Sequence, residues 1–175
     1  MTMDTTQEDT WSFQVTDAYY SSYMCQATTY NPEPCSEQVN AVIDLSQLEI
    51  SLPYNFAMGI TNQWDYIGLT RSFYSNKPCD YFYSLLTKNL VFYLPTGESL
   101  VLEPWQYLRN KYKGKDYNGK ELYYCSPNIK TLPQGVNDKI ILGTSFMETY
   151  VTSLDYTSKK ITLGKSVNAP VETFP

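Results

Sequence analysis

The stretch that decides the reading is Asn40-Ala41-Val42-Ile43-Asp44-Leu45-Ser46-Gln47-Leu48-Glu49-Ile50-Ser51-Leu52-Pro53. It is a short apolar run, β-branched at Val42 and Ile43 and bounded by polar residues, so it predicts a strand with both faces covered. In its middle sits one carboxylate, Asp44. An ionised Asp among Val, Ile and Leu is costly unless it is hydrogen-bonded, shares a proton or becomes neutral. Asp44 is therefore either a structural acid satisfied by backbone amides or the remnant of a catalytic one.

Outward from that stretch, composition narrows the chemistry. The chain has 175 residues, enough for one domain with a full core. Aromatics are 15% of it, with 17 Tyr, while charged residues are only 18%, a balance that suits a β-rich fold. The net charge of −5 leaves too few cations for a nucleic-acid footprint and argues against an anionic membrane surface. The absence of His removes Ser-His-Asp and Cys-His catalysis and imidazole metal sites. Carboxylates, Lys, Tyr and Cys remain; no cofactor and no metal site are expected. No run approaches the roughly 20 apolar residues that span a bilayer, so no membrane partner is expected either.

The four cysteines, Cys25, Cys35, Cys79 and Cys125, include no CxxC pair, which points to disulfides and an oxidising compartment: secretory pathway, lysosome or vacuole, or extracellular space. Met1 to Thr6 carry neither the basic nor the apolar region of a signal peptide. The two observations are reconciled if the chain is the downstream piece of a longer secreted precursor.

Along the chain, residues 1–10 read as a polar, disordered leader. Trp11, Phe13 and Val15 alternate with polar residues, predicting a half-buried strand that ends near Asp17. Cys25 and Cys35 flank one short loop and are paired with each other, a ring worth roughly 2 to 3 kcal/mol on the chain-entropy model. Pro53, then Phe56, Ala57 and Ile60, predict a short helix. Residues 89–94 and 99–102 flank Pro95-Thr96-Gly97-Glu98, a hairpin signal. Arg109 to Lys120 is a basic excursion around Asn118-Gly119 whose cations read either as a solvated loop tip or as a contact for an anionic partner. Cys79 and Cys125 bracket this unit and predict a second bridge. Lys139 to Gly143 is a strand running into a glycine, followed by a helical turn at Thr144 to Tyr150. A last hairpin turns at Thr157-Ser158-Lys159, with Asp155 as a turn cap.

That order of parts resembles the carboxyl-terminal lobe of pepsin-like aspartic peptidases over roughly residues 11–168, with residues 169–175 as a tail. The most specific match is Ile141-Leu142-Gly143-Thr144-Ser145-Phe146-Met147-Glu148-Thr149-Tyr150 with Ser153-Leu154-Asp155, which looks like the family's Ile-Leu-Gly-Asp-x-Phe-x-x-x-Tyr and later Phe-Asp. Two local disulfides are also usual in that lobe. The resemblance implies an all-β fold, a single lobe of the bilobal acid-protease architecture with one or two short helices. It implies Asp44 as the catalytic residue, and an aspartic-type endopeptidase activity that uses two carboxylates sharing one proton.

The family's Asp-Thr-Gly-Thr departs here to Asp44-Leu45-Ser46-Gln47. Leu45 has no hydroxyl to lock the two lobes, Ser46 adds a Cβ where the family has none, and Gln47 replaces a short hydroxyl with a longer arm. No second Asp sits in an Asp-Thr-Gly or a near variant, so the chain supplies at most half a site. The expected partners are a peptide or protein and either an amino-terminal lobe or a second copy. The alternative is a non-catalytic pseudo-protease module that holds a peptide or protein without cutting it.

Overall fold

The computed structural model describes residues 1–6, 10–21, 23–24, 39–70, 77–83 and 88–166. Its first strands are β1 (Thr2–Asp4), β2 (Ser12–Val15), β3 (Asp17–Tyr20), β4 (Tyr23–Met24), β5 (Val39–Ile43) and β6 (Ile50–Leu52). Helices α1 (Tyr54–Tyr66) and α2 (Asp80–Tyr83) follow, then β7 (Leu90–Tyr93), β8 (Ser99–Leu102) and α3 (Pro104–Tyr107). The remainder is β9 (Leu108–Lys115), β10 (Glu121–Pro127), β11 (Ile129–Thr131), β12 (Lys139–Leu142), α4 (Thr144–Thr149), β13 (Tyr150–Asp155) and β14 (Lys160–Lys165). The protein is mostly β, with more helix than the one or two segments expected.

The central sheet has the order β11-β6-β12-β5-β2. Its consequence for the fold is that β5 and β6, joined by a single loop, are not neighbours. β12 runs between them, parallel to β5 (Ile141 opposite Val42) and antiparallel to β6 (Leu142 opposite Ile50). The 40–53 run is thus two strands and a loop, rather than one covered strand. The break falls at Asp44 because the chain must climb over the end of β12 before it can return.

A second sheet, β4-β3-β7-β8, continues from the first around a corner at Thr16, whose N–H donates to Tyr93 O at 2.9 Å. The strand expected to stop near Asp17 ends at Val15, and after the corner a separate strand, β3, runs from Asp17 to Tyr20 with Ala18 and Tyr20 buried. Between the sheets lies one core that includes Phe13, Ile50, Phe56, Phe92 and Leu142. The expected hairpin closes as Leu90 opposite Leu102 through Tyr93 opposite Ser99.

α1 starts after Pro53 without a side-chain cap, and buries Phe56, Ala57, Gly59, Ile60 and Trp64 along one face. Burying each large apolar side chain is worth about 1.5–3 kcal/mol, whereas a missing cap costs about 1 kcal/mol, so packing decides that this helix forms. It ends at Gly68, whose φ of +72° suits a residue without Cβ. Trp64 Nε1–H donates to the Tyr20 hydroxyl at 2.7 Å and the Tyr107 hydroxyl donates to Lys88 O at 2.9 Å. Burial pushes both phenols above their ordinary pKa, so these rings serve as satisfied core rather than as acids.

Within the 1–10 stretch expected as a disordered leader, Thr2–Asp4 form a strand. β1 joins the sheet β1-β14-β13, Met3 is buried, and the terminal amine donates to Leu163 O at 3.0 Å. The reason is period two: Thr2 and Asp4 face out while Met3 alone reaches the core. The basic excursion is likewise a hairpin, β9 against β10, with a register shift between Leu122 and Tyr123 and Gly119 at φ +81° in its turn. Cys79 and Cys125 form a disulfide at its base, consistent with an oxidising compartment. The Cys25–Cys35 pairing and the 169–175 tail lie outside the described residues.

Candidate functional site

Asp44 is the first residue beyond β5, and the loop from it to Glu49 arches over the end of β12. Three backbone bonds fix that arch: Asp44 N–H to Leu142 O (3.1 Å), Thr144 N–H to Gln47 O (2.8 Å) and Ser145 N–H to Leu48 O (3.1 Å). The last two matter doubly, because the first turn of α4 has free amides that need acceptors, and the loop supplies them. Under the arch lies Gly143. A Cβ there would come within 2.3 Å of Glu49 O and 2.7 Å of Gln47 O, although its φ of −78° is open to any residue. The glycine is demanded by close approach of backbone to backbone.

The carboxylate is not enclosed in a greasy strand; it is partly exposed and satisfied within its own loop. Oδ1 accepts from the Ser46 N–H at 2.9 Å and the Ser46 hydroxyl at 2.6 Å, and Oδ2 accepts from Gln47 Nε2 at 2.9 Å. The Ser46 hydroxyl first, then its N–H, hold Asp44 below the usual carboxylate range, with Gln47 and the charge of Lys139 acting the same way. No neighbouring carboxylate among the described residues pushes it up, which a proton-sharing pair would do. As it stands, Asp44 is an ionised acceptor with one oxygen still able to take another donor.

The surroundings are mixed. Leu45 and Leu48, both in the loop that follows the acid, are 65% and 48% exposed. Glu49 pairs with Lys130 at 3.0 Å; partial burial opposes its ionisation, but Lys130 and the charge of Lys111 outweigh that and hold its pKa down. On the far side, Ile43 N–H donates to Trp11 O, and Trp11 meets Tyr156 edge-on at 4.8 Å between ring centres. Arg109, at the root of the β9–β10 hairpin, pairs with Glu148 of α4.

The structure therefore brings Asp44, Ser46 and Gln47 together and leaves Leu45 outside the hydrogen bonding. Cys79 and Cys125 sit elsewhere, at the hairpin base. Sequence reasoning missed Glu49, and it saw Gly143 only as the end of a strand, since nothing local announces which loop lies above it. Among the described residues, no three His, Cys, Asp or Glu converge to hold a metal ion. No family model matches the chain, and no curated protein matches it.

Proposed function

We propose that this chain is a lobe of the pepsin-like aspartic peptidase type that contributes one carboxylate, Asp44, to a site needing two. The observation that carries the reading is the passage of β12 between β5 and β6, which seats Gly143 of the Ile-Leu-Gly stretch directly beneath the Asp44 loop. Peptide hydrolysis of this kind uses two carboxylates about 3 Å apart with one shared proton, for which this family is itself the standard illustration. One activates water while the other protonates the substrate. A lone Asp44 that its own loop keeps ionised performs neither half of that exchange. The second carboxylate would come from an amino-terminal lobe or a second copy.

A second reading, a non-catalytic module that holds a peptide or protein, is favoured by one specific observation. Both oxygens of Asp44 already accept from its own loop, Oδ1 from Ser46 and Oδ2 from the long Gln47 arm, so the acid is engaged without a second carboxylate. The test is an assay on denatured protein between pH 2 and 7, with the chain alone and with an upstream Asp-Thr-Gly lobe supplied. The peptidase reading expects no turnover alone, acid-optimum cleavage with the lobe, and its loss in Asp44→Asn. Peptide binding without hydrolysis in every combination selects the binding module instead.

A further inference from the structure

The β9–β10 hairpin carries a charge opposite to that of the chain it belongs to. Residues 109–121 hold five cations, Arg109, Lys111, Lys113, Lys115 and Lys120, against Asp116 and Glu121, a net +3 on a chain of net −5, which leaves −8 for the remainder. The hairpin's own two acids are turned to local donors. Asp116 accepts the N–H groups of Asn118 (2.8 Å) and Lys120 (2.9 Å) inside the turn, and Glu121 accepts the Tyr123 hydroxyl at 2.6 Å. At the root, Arg109 pairs with Glu148, and Lys111 lies within reach of the Glu49 charge. Toward the tip, Lys115 and Lys120 are exposed and enter no ion pair among the described residues. Their backbones are adjacent across the turn, since Lys115 precedes Asp116, whose N–H donates to Lys120 O at 2.8 Å.

Two uncovered rings accompany these lysines. Tyr112 is 56% and Tyr117 96% exposed, and Tyr112 stands opposite Tyr123, meeting it edge-on at 5.7 Å between ring centres. Lysines that served only to solvate a tip would gain nothing from bare rings beside them, whereas Tyr, apolar in body and polar at its end, is a residue that protein contacts favour. The ribbon is also held in place before any partner arrives. Two isolated strands are marginal in water, but here the Cys79–Cys125 disulfide and the Cys79 N–H on Asn110 Oδ1 (2.8 Å) fix the root. We infer that the hairpin binds an acidic peptide segment, with its carboxylates on Lys115 and Lys120 and its apolar atoms on Tyr112 and Tyr117. The eight residues of β9 span about 26 Å, room for an extended segment of roughly the same length. Such a segment stays in the field of the hairpin. A long polyanion or an anionic membrane extends well beyond a Debye length of about 8 Å and meets the −8 of the remainder. The inference is independent of any peptidase activity.

Fluorescence anisotropy on the full, disulfide-bonded chain tests this with a labelled octapeptide of alternating Glu and Val, beside the same peptide with Gln in place of Glu. Only the Glu peptide is expected to bind at about 20 mM salt, and about tenfold more weakly at about 200 mM. Lys115→Glu with Lys120→Glu should weaken binding by about tenfold or more, whereas the same change of charge at two exposed lysines elsewhere, Lys88→Glu with Lys159→Glu, should stay within about twofold. Should the reversal disturb the turn, Lys115→Gln with Lys120→Gln takes its place, with an expected loss of about threefold. Tyr117→Ser should also lose about threefold. Equal losses from the two lysine pairs, no binding of the Glu peptide at low salt, or full affinity in Tyr117→Ser overturns the inference. So does tighter binding of a thymidine octanucleotide, or of phosphatidylcholine vesicles containing about 20% phosphatidylserine, which would assign the hairpin to nucleic acid or to membrane.

Discussion

Asp44 and Asp155 make nearly the same local structure in two very different places. At Asp155 the carboxylate accepts from the Thr157 N–H (2.9 Å), the Ser158 N–H (3.1 Å) and the Ser158 hydroxyl (2.6 Å), much as Asp44 accepts from Ser46 and Gln47. Both acids are held below the usual carboxylate range, each by a serine hydroxyl first. Yet the Asp155 turn is the exposed tip of a hairpin, while the Asp44 turn is bridged to β12 and α4. The difference teaches that a well-bonded carboxylate is not in itself a sign of chemistry; what sets Asp44 apart is the distant chain beneath it.

The largest effect that sharpens this contrast is expected at Gly143. Gly143→Ala drives a methyl into two carbonyls and should cost about 3 kcal/mol or more in urea unfolding. Gly164→Ala, in β14 where a Cβ meets nothing within 4 Å, should stay within about 0.5 kcal/mol. Similar costs at both would mean that the loop yields as readily as open strand.

Next comes removal of each acid. Asp44→Ala loses three acceptor contacts and should cost about 1 kcal/mol, limited by the solvent around the loop. Asp155→Ala should lower Tm less, because Asp155 is the more exposed of the two acids and the turn stays tied to the body by Tyr156 against Trp11 and by the Thr5 N–H on Lys159 O. Equal losses in parallel thermal melts would break the comparison.

A smaller signature lies in acid. A carboxylate whose pKa is depressed on folding stabilises the protein above the unfolded value of about 4 and loses that contribution as pH falls through the folded value. Wild type should therefore lose stability faster than Asp44→Asn between about pH 5 and 2, and the double variant with Asp155→Asn should lose it more slowly still. Urea midpoints at each pH report the slopes.

The smallest effect is expected at Lys159, which has φ +55° beside the Asp155 turn. Lys159→Gly relieves that conformation and should raise stability by about 0.5 kcal/mol, offset in part by the looser unfolded chain. No residue of the Asp44 loop has positive φ, so no comparable gain is available there.

What the sequence made legible was whatever is decided by neighbours along the chain. Pro95 to Glu98 marked a hairpin, Pro53 with Phe56 and Ile60 marked α1, and the positions of Cys79 and Cys125 marked their bond. The missed parts depend on partners far away. Thr2–Asp4 reads as polar until β14 supplies its other half, and Leu108–Lys115 reads as a loop because its alternation sets Lys against Tyr with solvent near both. The acid itself was found, but its setting was not. Nothing within 40–53 says that the strand must break at Asp44, because the cause is a segment that begins at Lys139.

That threaded segment bears on how the protein comes into being. β5 and β6 are made early, but the gap between them is filled only by residues synthesised some ninety positions later. The loop over Gly143 is thus expected to be among the last features to set during folding, with a slow, non-local closing step. A nascent chain halted before Lys139 would carry the acid and its serine, yet hold them over an unfilled seam.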